Sequence, residues 1–406
     1  MTTVLMTMTL LCIFLIIYHH LIYPYLLLLI HQRLANKELS VPPRQYSNNG
    51  NDKNLPTICI VMPAFNEQQW IADKIRNLAA LDYPADRLQV IVGCDGCTDN
   101  TVRLAKQTCQ EIECRHLDIS INVFQNNKGK VAIINTLVAE LNCELVMLSD
   151  VSALLSVDAL LITAEHFKDA EVGVLNSHYQ LFNPGSIGEA TYWEYQSQLK
   201  QGEASLGSTL GAHGACYIFR RSLFVKLPSD TINDDFILPM EIVAKGYRAQ
   251  QDKRITALEM EQANTAMDQQ RRRRIAAGNM QQLLRLKKLL RPKYRGIAFT
   301  FASGKGLRVL MPILMLMALL GSCTLAFESQ MFALIATLQL IAYGLACYPL
   351  ILKKNSRSRY LASLSYLVSG HLANFIGGFR YIFGLESGRW TSIRTDNLTS
   401  PTGDKK

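Results

Sequence analysis

Long apolar segments at both ends of the chain constrain its fold more than any other feature. Residues 4–30 contain no Asp, Glu, Lys or Arg and exceed the roughly 20 residues that cross a bilayer as a helix. They lack the basic start and the small-residue cleavage site of a signal peptide, which favours a retained membrane helix. Three further apolar segments lie near the other end, at 307–327, 331–352 and 360–384. The last is interrupted by polar residues, so either a full span or a re-entrant segment fits it.

A basic loop between the last two of these segments orients the chain. It contains Lys353, Lys354, Arg357 and Arg359, and loops rich in lysine and arginine stay on the cytoplasmic side of a membrane. If the segment 331–352, which precedes this loop, ends in the cytoplasm, then the segment 307–327 must begin in the cytoplasm. The large central region is therefore predicted to be cytoplasmic in a multi-pass protein.

These features divide the chain into six parts. We predict an N-terminal transmembrane helix, a linker, an α/β domain, an amphipathic interfacial segment, C-terminal transmembrane helices and a polar tail, at 1–35, 36–56, 57–280, 281–306, 307–384 and 385–406. Leucines interspersed with basic residues from Met280 to Arg295 predict a helix on the membrane surface. The net charge of +9 then favours membrane lipids as partners. Nucleic acid is not expected, because no aromatic residues are interleaved with the basic ones.

The central region alternates strand-like and helix-like patterns. Short apolar runs at 57–62, 88–92, 119–123 and 145–148 are typical of buried strands. Segments with helical periodicity separate them. This alternation predicts an α/β fold with a mostly parallel sheet and ligands at the carboxyl ends of the strands.

Polar motifs follow each of the four predicted strands, at 63–67, 95–99, 126–130 and 150–152. Carboxylates at such an edge suit the base and ribose of a nucleotide and a divalent cation on its phosphates. Asp95 and Asp99 are candidates for the base and ribose, and Asp150 for Mg²⁺ or Mn²⁺. The first two also fit an ordinary turn and a helix cap.

A pair of cysteines interrupts the second motif. Cys94 and Cys97 form a CxxC pattern, with Cys109 and Cys114 further on. A zinc site would need a second close pair, and a redox site would need the pair at a helix start, so both are disfavoured. We expect reduced thiols in a cytoplasmic domain.

The motifs in this order resemble a known enzyme family. Residues 61–67, 95–101, 128–135 and 150–152 resemble the nucleotide half of the family 2 glycosyltransferases. A second set of motifs resembles the acceptor half of membrane-bound members that build exopolysaccharides. These motifs are at 192–193, 211–217, 220–221, 233–236 and 271–278. The likeness covers about residues 57–278.

The resemblance implies a GT-A fold, Rossmann-like with a mixed, mostly parallel sheet, and an inverting sugar transfer. The implied donor is a nucleotide-diphosphate sugar, by family resemblance a UDP-sugar. The implied acceptor is lipid-linked or a polysaccharide, at a bacterial inner membrane in exopolysaccharide biosynthesis. Other polysaccharide-assembly proteins are then expected partners.

The resemblance also implies roles for individual residues. Asp235 takes the place of the general base, and a neighbouring Asp234 is expected to raise the pKa of Asp235. The alternative for this acidic pair is a helix N-cap. Implied donor-binding residues are Pro63, Glu67, Asp95, Asp99, Lys130 and Asp150. Implied acceptor-binding or diphosphate-binding residues are Gly214, Asp234, Gln270, Arg273 and Arg274. Implied ligands of Mg²⁺ or Mn²⁺ are Asp150 and Ser152.

Two positions depart from the family pattern. Ser152 stands where a second acidic or amide residue is common, and Arg274 stands where processive synthases carry tryptophan. The missing indole favours the addition of one sugar or a few. A processive polysaccharide synthase remains the enzymatic alternative, and a membrane scaffold that binds a nucleotide sugar without turnover is the non-enzymatic one.

Overall fold

The computed structural model describes residues 2–34, 50–184, 187–261, 265–352 and 359–385. Its helices, in chain order, are α1 (Thr2–Ile17), α2 (Tyr23–Leu34), α3 (Ile71–Ala79), α4 (Thr101–Thr108), α5 (Lys130–Ala139), α6 (Ala159–His166), α7 (Ile187–Ser205), α8 (Asp234–Ala244), α9 (Thr265–Arg285), α10 (Gly296–Thr300), α11 (Leu307–Leu325), α12 (Gln330–Leu352) and α13 (Arg359–Ile382). Two π-helical turns, Tyr18–Ile22 and Phe301–Gly306, join α1 to α2 and α10 to α11.

Within the described residues, one eight-stranded sheet forms the centre of the α/β region. Its strands are β1 (Ile58–Ala64), β2 (Leu88–Asp95), β3 (Asp118–Phe124), β4 (Leu145–Ser149), β5 (Ala153–Leu155), β6 (Val172–Leu181), β7 (Cys216–Arg220) and β8 (Arg248–Glu259). The spatial order is β3-β2-β1-β4-β7-β6-β8-β5. The first four strands in this order are parallel neighbours, whereas β7 is antiparallel to both β4 and β6. The predicted mixed, mostly parallel sheet is confirmed.

The sequence explains why these strands are central. Every residue of β1 is buried, as expected for a parallel strand covered by helices on both faces. Helix α5 lies directly on the sheet at Gly93 of β2, where an added Cβ would come within 2.5 Å of Ile133 and 2.8 Å of Leu137. This close packing fixes the start of α5 beside the ends of β2 and β4.

Among the described residues, three helical stretches are long and apolar enough to cross a membrane: Thr2–Leu34, Gly296–Leu325 and Gln330–Tyr348. They correspond to the first three predicted segments and are compatible with membrane association. The fourth predicted segment, 360–384, forms helix α13 but is not one of these three apolar stretches. Instead α13 packs on α9, where a Cβ added at Gly377 would lie 2.7 Å from that of Ala276. The basic loop at 353–358, most of the linker and the tail lie outside the described residues.

The structure of residues 280–295 differs from the continuous surface helix predicted for them. Helix α9 ends at Arg285, and short 3₁₀ turns follow at Lys287–Leu290 and Pro292–Tyr294. The apolar side of this segment is used inside the protein, because Leu286 and Leu289 are fully buried in the core around α8. A periodicity of leucines cannot distinguish a lipid surface from a protein surface. Contact of the exposed Leu284 and Leu290 with lipid stays a prediction.

Candidate active site

The end of β4 carries the central carboxylate of the site. Asp150 follows β4 directly, and its backbone N–H donates to the Ala215 carbonyl 3.0 Å away. Lys130, the first residue of α5, donates from Nζ to Asp150 Oδ1 at 2.7 Å. Burial alone would lower the pKa of Lys130, but the carboxylates of Asp150 and Asp234 raise it above its usual value. A fixed ammonium therefore lies against the carboxylate at the sheet edge.

Three charged side chains converge at Gly214. A Cβ built on Gly214 would lie 3.4 Å from Asp235 Oδ2, 3.6 Å from Asp150 Oδ2 and 3.7 Å from Lys130 Nζ. Any side chain at this position would fill the space between these groups. The glycine thus leaves a gap lined by two carboxylates and an ammonium.

The acidic pair begins α8. Asp234 and Asp235 are the first two residues of the helix, and Asn233 occupies the N-cap position without a side-chain cap hydrogen bond. The pair therefore does not itself cap the helix. Burial and, to a smaller extent, the neighbouring charge of Asp234 raise the pKa of Asp235 to about 6. A carboxylate with this pKa is suited to take up a proton near neutral pH.

Asp95 supports the loop before α5. Its Oδ1 accepts from the Lys128 N–H at 2.7 Å and its Oδ2 from the Gly129 N–H at 2.8 Å, and the residue is buried. Gly129 has a φ of 89°, which favours glycine. Asp95 thus positions the segment that leads into Lys130, and its contact with a nucleoside stays a prediction.

Asp99 forms a turn. Its Oδ1 accepts from the Thr101 N–H at 3.0 Å, and its Oδ2 accepts from the Gln68 N–H at 3.1 Å. These contacts fit the turn-and-cap alternative that the sequence left open. They also hold the start of α4 against the segment after β1, so Asp99 lies at the predicted edge.

Pro63 and Glu67 belong to the end of β1. Pro63 is buried within the strand, and Glu67 follows it at the same edge of the sheet as Asp150. Burial raises the pKa of Glu67 to about 8, with smaller contributions from Glu261 and Asp150. Glu67 is therefore largely protonated at neutral pH and able to donate a hydrogen bond.

A buried lysine behind the site was missed from the sequence. Lys74 of α3 is fully buried, and its Nζ donates to Ser149 Oγ at 2.8 Å and to the Ala153 carbonyl. These two partners flank the turn that holds Asp150. Burial lowers the pKa of Lys74 to about 8. The available signal was its position on the apolar face of α3, beside Ile71, Ile75 and Leu78.

An aromatic cluster lies next to Gly214. His213 stacks on Tyr179 of β6 with ring centroids 3.7 Å apart, and Trp193 of α7 meets both rings edge-on at 4.9 and 4.8 Å. Trp193 and His213 are partly exposed. The sequence motifs contained Trp193 and His213 separately, but only the fold brings them together.

The arginine run lies on α9. Gln270 is in the helix, although its side chain is outside the described part of the chain, and Arg273 and Arg274 are half-buried. The helix reaches the acidic pair through Asn233, whose Nδ2 donates to the Ile275 carbonyl at 3.5 Å. The structure therefore places α9 beside the start of α8.

The metal prediction depends on oxygen ligands. Among the described residues, no group of three or more His, Cys, Asp or Glu side chains could hold a metal ion by itself. Asp150 and the hydroxyl of Ser152, which is buried two residues later, supply the oxygen donors that Mg²⁺ and Mn²⁺ prefer. These residues fit an ion that takes its remaining ligands from substrate phosphates and water. The ten cysteines are free thiols, as predicted.

Comparisons with known proteins agree with this architecture. The model of the family described as "Glycosyltransferase like family 2" matches residues 56–277. A poly-β-1,6-N-acetyl-D-glucosamine synthase of Staphylococcus aureus is 26% identical over 206 residues, which are 49% of this chain and 48% of the relative. The probable glycosyltransferase YdaM of Bacillus subtilis is 29% identical over 100 residues, 25% of this chain and 24% of that protein. The chain thus matches about half the length of the first relative.

A solved structure shares the fold. The mannosyltransferase PcManGT from Pyrobaculum calidifontis, in complex with GDP-Man and Mn²⁺, aligns with a TM-score of 0.68 at 21% identity, over 91% of this chain and 99% of that one. The sheet order, the carboxylates at its edge and the match over more than half of the sequence lead to one conclusion. This chain belongs to the glycosyltransferase family 2 and has a GT-A fold.

Proposed function

We propose that the protein is an inverting glycosyltransferase that moves a sugar from a nucleotide-diphosphate sugar to a lipid-linked or polysaccharide acceptor in exopolysaccharide biosynthesis. The location proposed for it is a bacterial inner membrane, with the catalytic domain in the cytoplasm. The observation that carries this proposal is the convergence of Asp235, Asp150 and Lys130 on the gap at Gly214. A base, an oxygen ligand and a cation within one gap are what a single displacement at an anomeric carbon requires.

Asp235 acts as the base. Its carboxylate removes the proton from an acceptor hydroxyl as that oxygen attacks the anomeric carbon from the face opposite the diphosphate. The new carbon–oxygen bond forms while the bond from the anomeric carbon to the diphosphate oxygen breaks, so the configuration inverts. The proton ends on Asp235, and the electron pair leaves with the diphosphate.

Cations stabilise the departing diphosphate. Lys130 lies 3.7 Å from the Cβ position of Gly214, and its ammonium offsets the developing charge. Asp150 and Ser152 would hold Mg²⁺ or Mn²⁺, which supplies further charge neutralisation when bound. Arg273 and Arg274 on α9 contribute planar guanidinium groups suited to phosphate oxygens.

The donor has a uracil base in this proposal. The synthase relative is named for an N-acetyl-D-glucosamine polymer, which supports an N-acetylhexosamine as a first donor to test. The mannosyltransferase with the shared fold was solved with GDP-Man, so guanine donors belong in the same panel. In this proposal the nucleoside binds at the sheet edge that carries Pro63, Glu67, Asp95 and Asp99.

A processive synthase is the second candidate. The aromatic cluster of Tyr179, Trp193 and His213 supports it. Its rings lie beside the gap at Gly214 and could take the place of the tryptophan that processive synthases carry at the position of Arg274. Product length separates the two candidates. Short products that stop at one or a few sugars favour the single-transfer enzyme, whereas long chains favour the synthase.

The deciding experiment is nucleotide release by the purified full chain. UDP-sugars and GDP-sugars are supplied with Mg²⁺ or Mn²⁺ and a lipid extract, beside Asp150→Asn, Asp235→Asn and the surface control Asp158→Asn. We expect turnover of one donor by the parent and the control, and its loss in both site variants. Metal-dependent donor binding without turnover would favour the scaffold, and equal turnover by all variants would contradict the assigned site.

A further inference from the structure

Three basic side chains near Asp235 take no part in the mechanism above. Lys200 is on α7, Lys305 is in the π-helical turn before α11, and Arg308 is in the first turn of α11. All three are partly exposed. We call these three residues the basic cluster.

The basic cluster has no ion-pair partner among the described residues. Within the part of the chain that the structure describes, Lys200 Nζ donates only to the carbonyl oxygens of Leu210 and Gly211, at 3.2 and 3.0 Å. Lys305 Nζ lies over the ring of Phe236, 4.2 Å from its centroid, and makes no hydrogen bond within the described part of the chain. Neutral carbonyls and an aromatic ring orient a cation but do not neutralise it.

Two carboxylates lie near enough to influence the cluster. Glu203 and Asp235 both interact electrostatically with Lys200 and Lys305, while Arg308 repels both lysines. Glu203 already accepts from the Leu210 N–H at 3.0 Å. Basic groups therefore outnumber carboxylates here by three to two, and protonation of Asp235 during the reaction would increase this excess of basic groups. An anionic group would offset this excess.

The cluster lies where a membrane lipid can reach it. Lys305 and Arg308 belong to the membrane-candidate stretch Gly296–Leu325. The first candidate stretch packs beside them, with Tyr23 Oη 3.1 Å from the Cβ position of Gly304 and His19 Nδ1 donating to the Ser303 carbonyl at 2.9 Å. A headgroup in the cluster would thus be held at the catalytic end of these helices, with its chain in the apolar region.

We propose that Lys200, Lys305 and Arg308 bind a phosphate group of the acceptor, which is a membrane lipid that carries both this phosphate and a sugar with the attacking hydroxyl. This inference rests on the proposed function and specifies its acceptor. Phe236, whose ring holds Lys305, directly follows the base Asp235. A phosphate on Lys305 would therefore hold the acceptor on the membrane side of Asp235, away from the donor side formed by Lys130 and Asp150.

Binding without donor tests the proposal separately from turnover. The full chain is placed in nanodiscs, and retention of a labelled long-chain isoprenyl phosphate is measured against the corresponding isoprenyl alcohol. We expect the phosphate to bind at least tenfold more tightly than the alcohol. Equal binding of the two lipids would overturn the proposal, whatever the outcome for sugar transfer.

Variants locate the bound phosphate. We expect Lys305→Met and Arg308→Gln to weaken binding of the isoprenyl phosphate tenfold or more, and Lys305→Arg to retain it. The matched control is Lys293→Met, which removes an exposed lysine that also lies over an aromatic ring. An equal loss in the control would contradict the assignment. If Lys305→Met fails to fold, the comparison of the two lipids on the parent still decides.

A soluble source of phosphate is distinguished by competition. Inorganic diphosphate is added to the parent loaded with the labelled lipid. Retention of the lipid supports an acceptor site, whereas full displacement at equal concentration would assign the basic cluster to the departing diphosphate and overturn the proposal. Lipid binding without sugar transfer would instead refute the proposed function alone.

Discussion

Gly278 of α9 lies so close to Asn233 that a Cβ on the glycine would come within 2.3 Å of the Asn233 Nδ2 atom. Asn233 is the residue directly before the acidic pair. The same helix holds the preceding loop through Gln281, whose side chain accepts from the Ile232 N–H at 2.9 Å and donates to the Asp230 carbonyl at 2.8 Å. The position of the base thus depends on α9.

This contact predicts the effect of one methyl group. Gly278→Ala should displace the Asn233 side chain and with it the start of α8, so we expect kcat to fall by about 10²-fold, because small displacements of reacting groups have effects of this size. The matched control is Gly370→Ala on α13, where nothing lies within 4 Å of the added Cβ. Steady-state kinetics of both variants provide the measurement. Unchanged kcat in Gly278→Ala would show that α9 does not position the base.

The pH dependence of turnover reports the state of Asp235. A base must be unprotonated, and the pKa of Asp235 is raised to about 6 by burial and by Asp234, so kcat should fall as the pH decreases through about 6. Asp234→Asn removes a like charge and should move the acidic limb of the plot of kcat against pH about one unit to lower pH. Asp235→Asn should reduce kcat by about 10²- to 10⁴-fold at every pH. A limb that does not move in Asp234→Asn would mean that burial alone sets this pKa.

The sequence predicted the sheet edge well because local signals and topology agree there. The four strand ends that carry Pro63, Asp95, Lys130 and Asp150 are sequential, and parallel strands joined by helices bring their carboxyl ends together. Ser149, where β4 ends, directly precedes Asp150 as expected. The parts of the site that lie within one βα unit could therefore be read from periodicity.

Other parts of the site depend on contacts between distant segments, which periodicity does not report. Tyr179, Trp193 and His213 come from three different segments and meet only when β6, α7 and the segment before β7 are assembled. The leucines after Met280 have the spacing of a membrane-surface helix, but Leu286 and Leu289 cover α8 instead. An apolar stripe on a helix indicates that this face is buried but does not identify what covers it.

Lys74 should affect the metal requirement. Lys74→Met keeps the volume but removes the hydrogen bonds to Ser149 and Ala153 that flank the turn of Asp150, so we expect the half-saturating Mn²⁺ concentration to rise several-fold. The donor KM at saturating metal should change much less. Lys106→Met, at an exposed position on α4, is the control. Parallel changes in the metal requirement and in the thermal midpoint of both variants would indicate a general loss of stability instead.

Trp193 should affect the acceptor and not the donor. Trp193→Ala removes the ring that packs edge-on against Tyr179 and His213, and stacking contacts of aromatic rings contribute about 0.5–1.5 kcal/mol. We expect the acceptor KM to rise about twofold to tenfold, which corresponds to that energy at 1.4 kcal/mol per tenfold change, with the donor KM unchanged. Trp193→Phe should recover most of the effect. An equal rise in both KM values would assign the cluster to structural packing.

Removal of metal should separate the roles of Asp150 and Lys130. Lys130 is bound to Asp150 Oδ1, while Oδ2 faces the gap at Gly214, so the carboxylate can keep its ion pair and still offer one oxygen to an ion. We expect EDTA to abolish turnover and Mn²⁺ or Mg²⁺ to restore it, with Asp150→Asn requiring at least tenfold more metal. Lys130→Met should instead lower kcat with little change in the metal requirement, because it removes a charge that stabilises the leaving diphosphate. Turnover that survives EDTA in the parent would assign that stabilisation to Lys130 and the arginines of α9, without an ion.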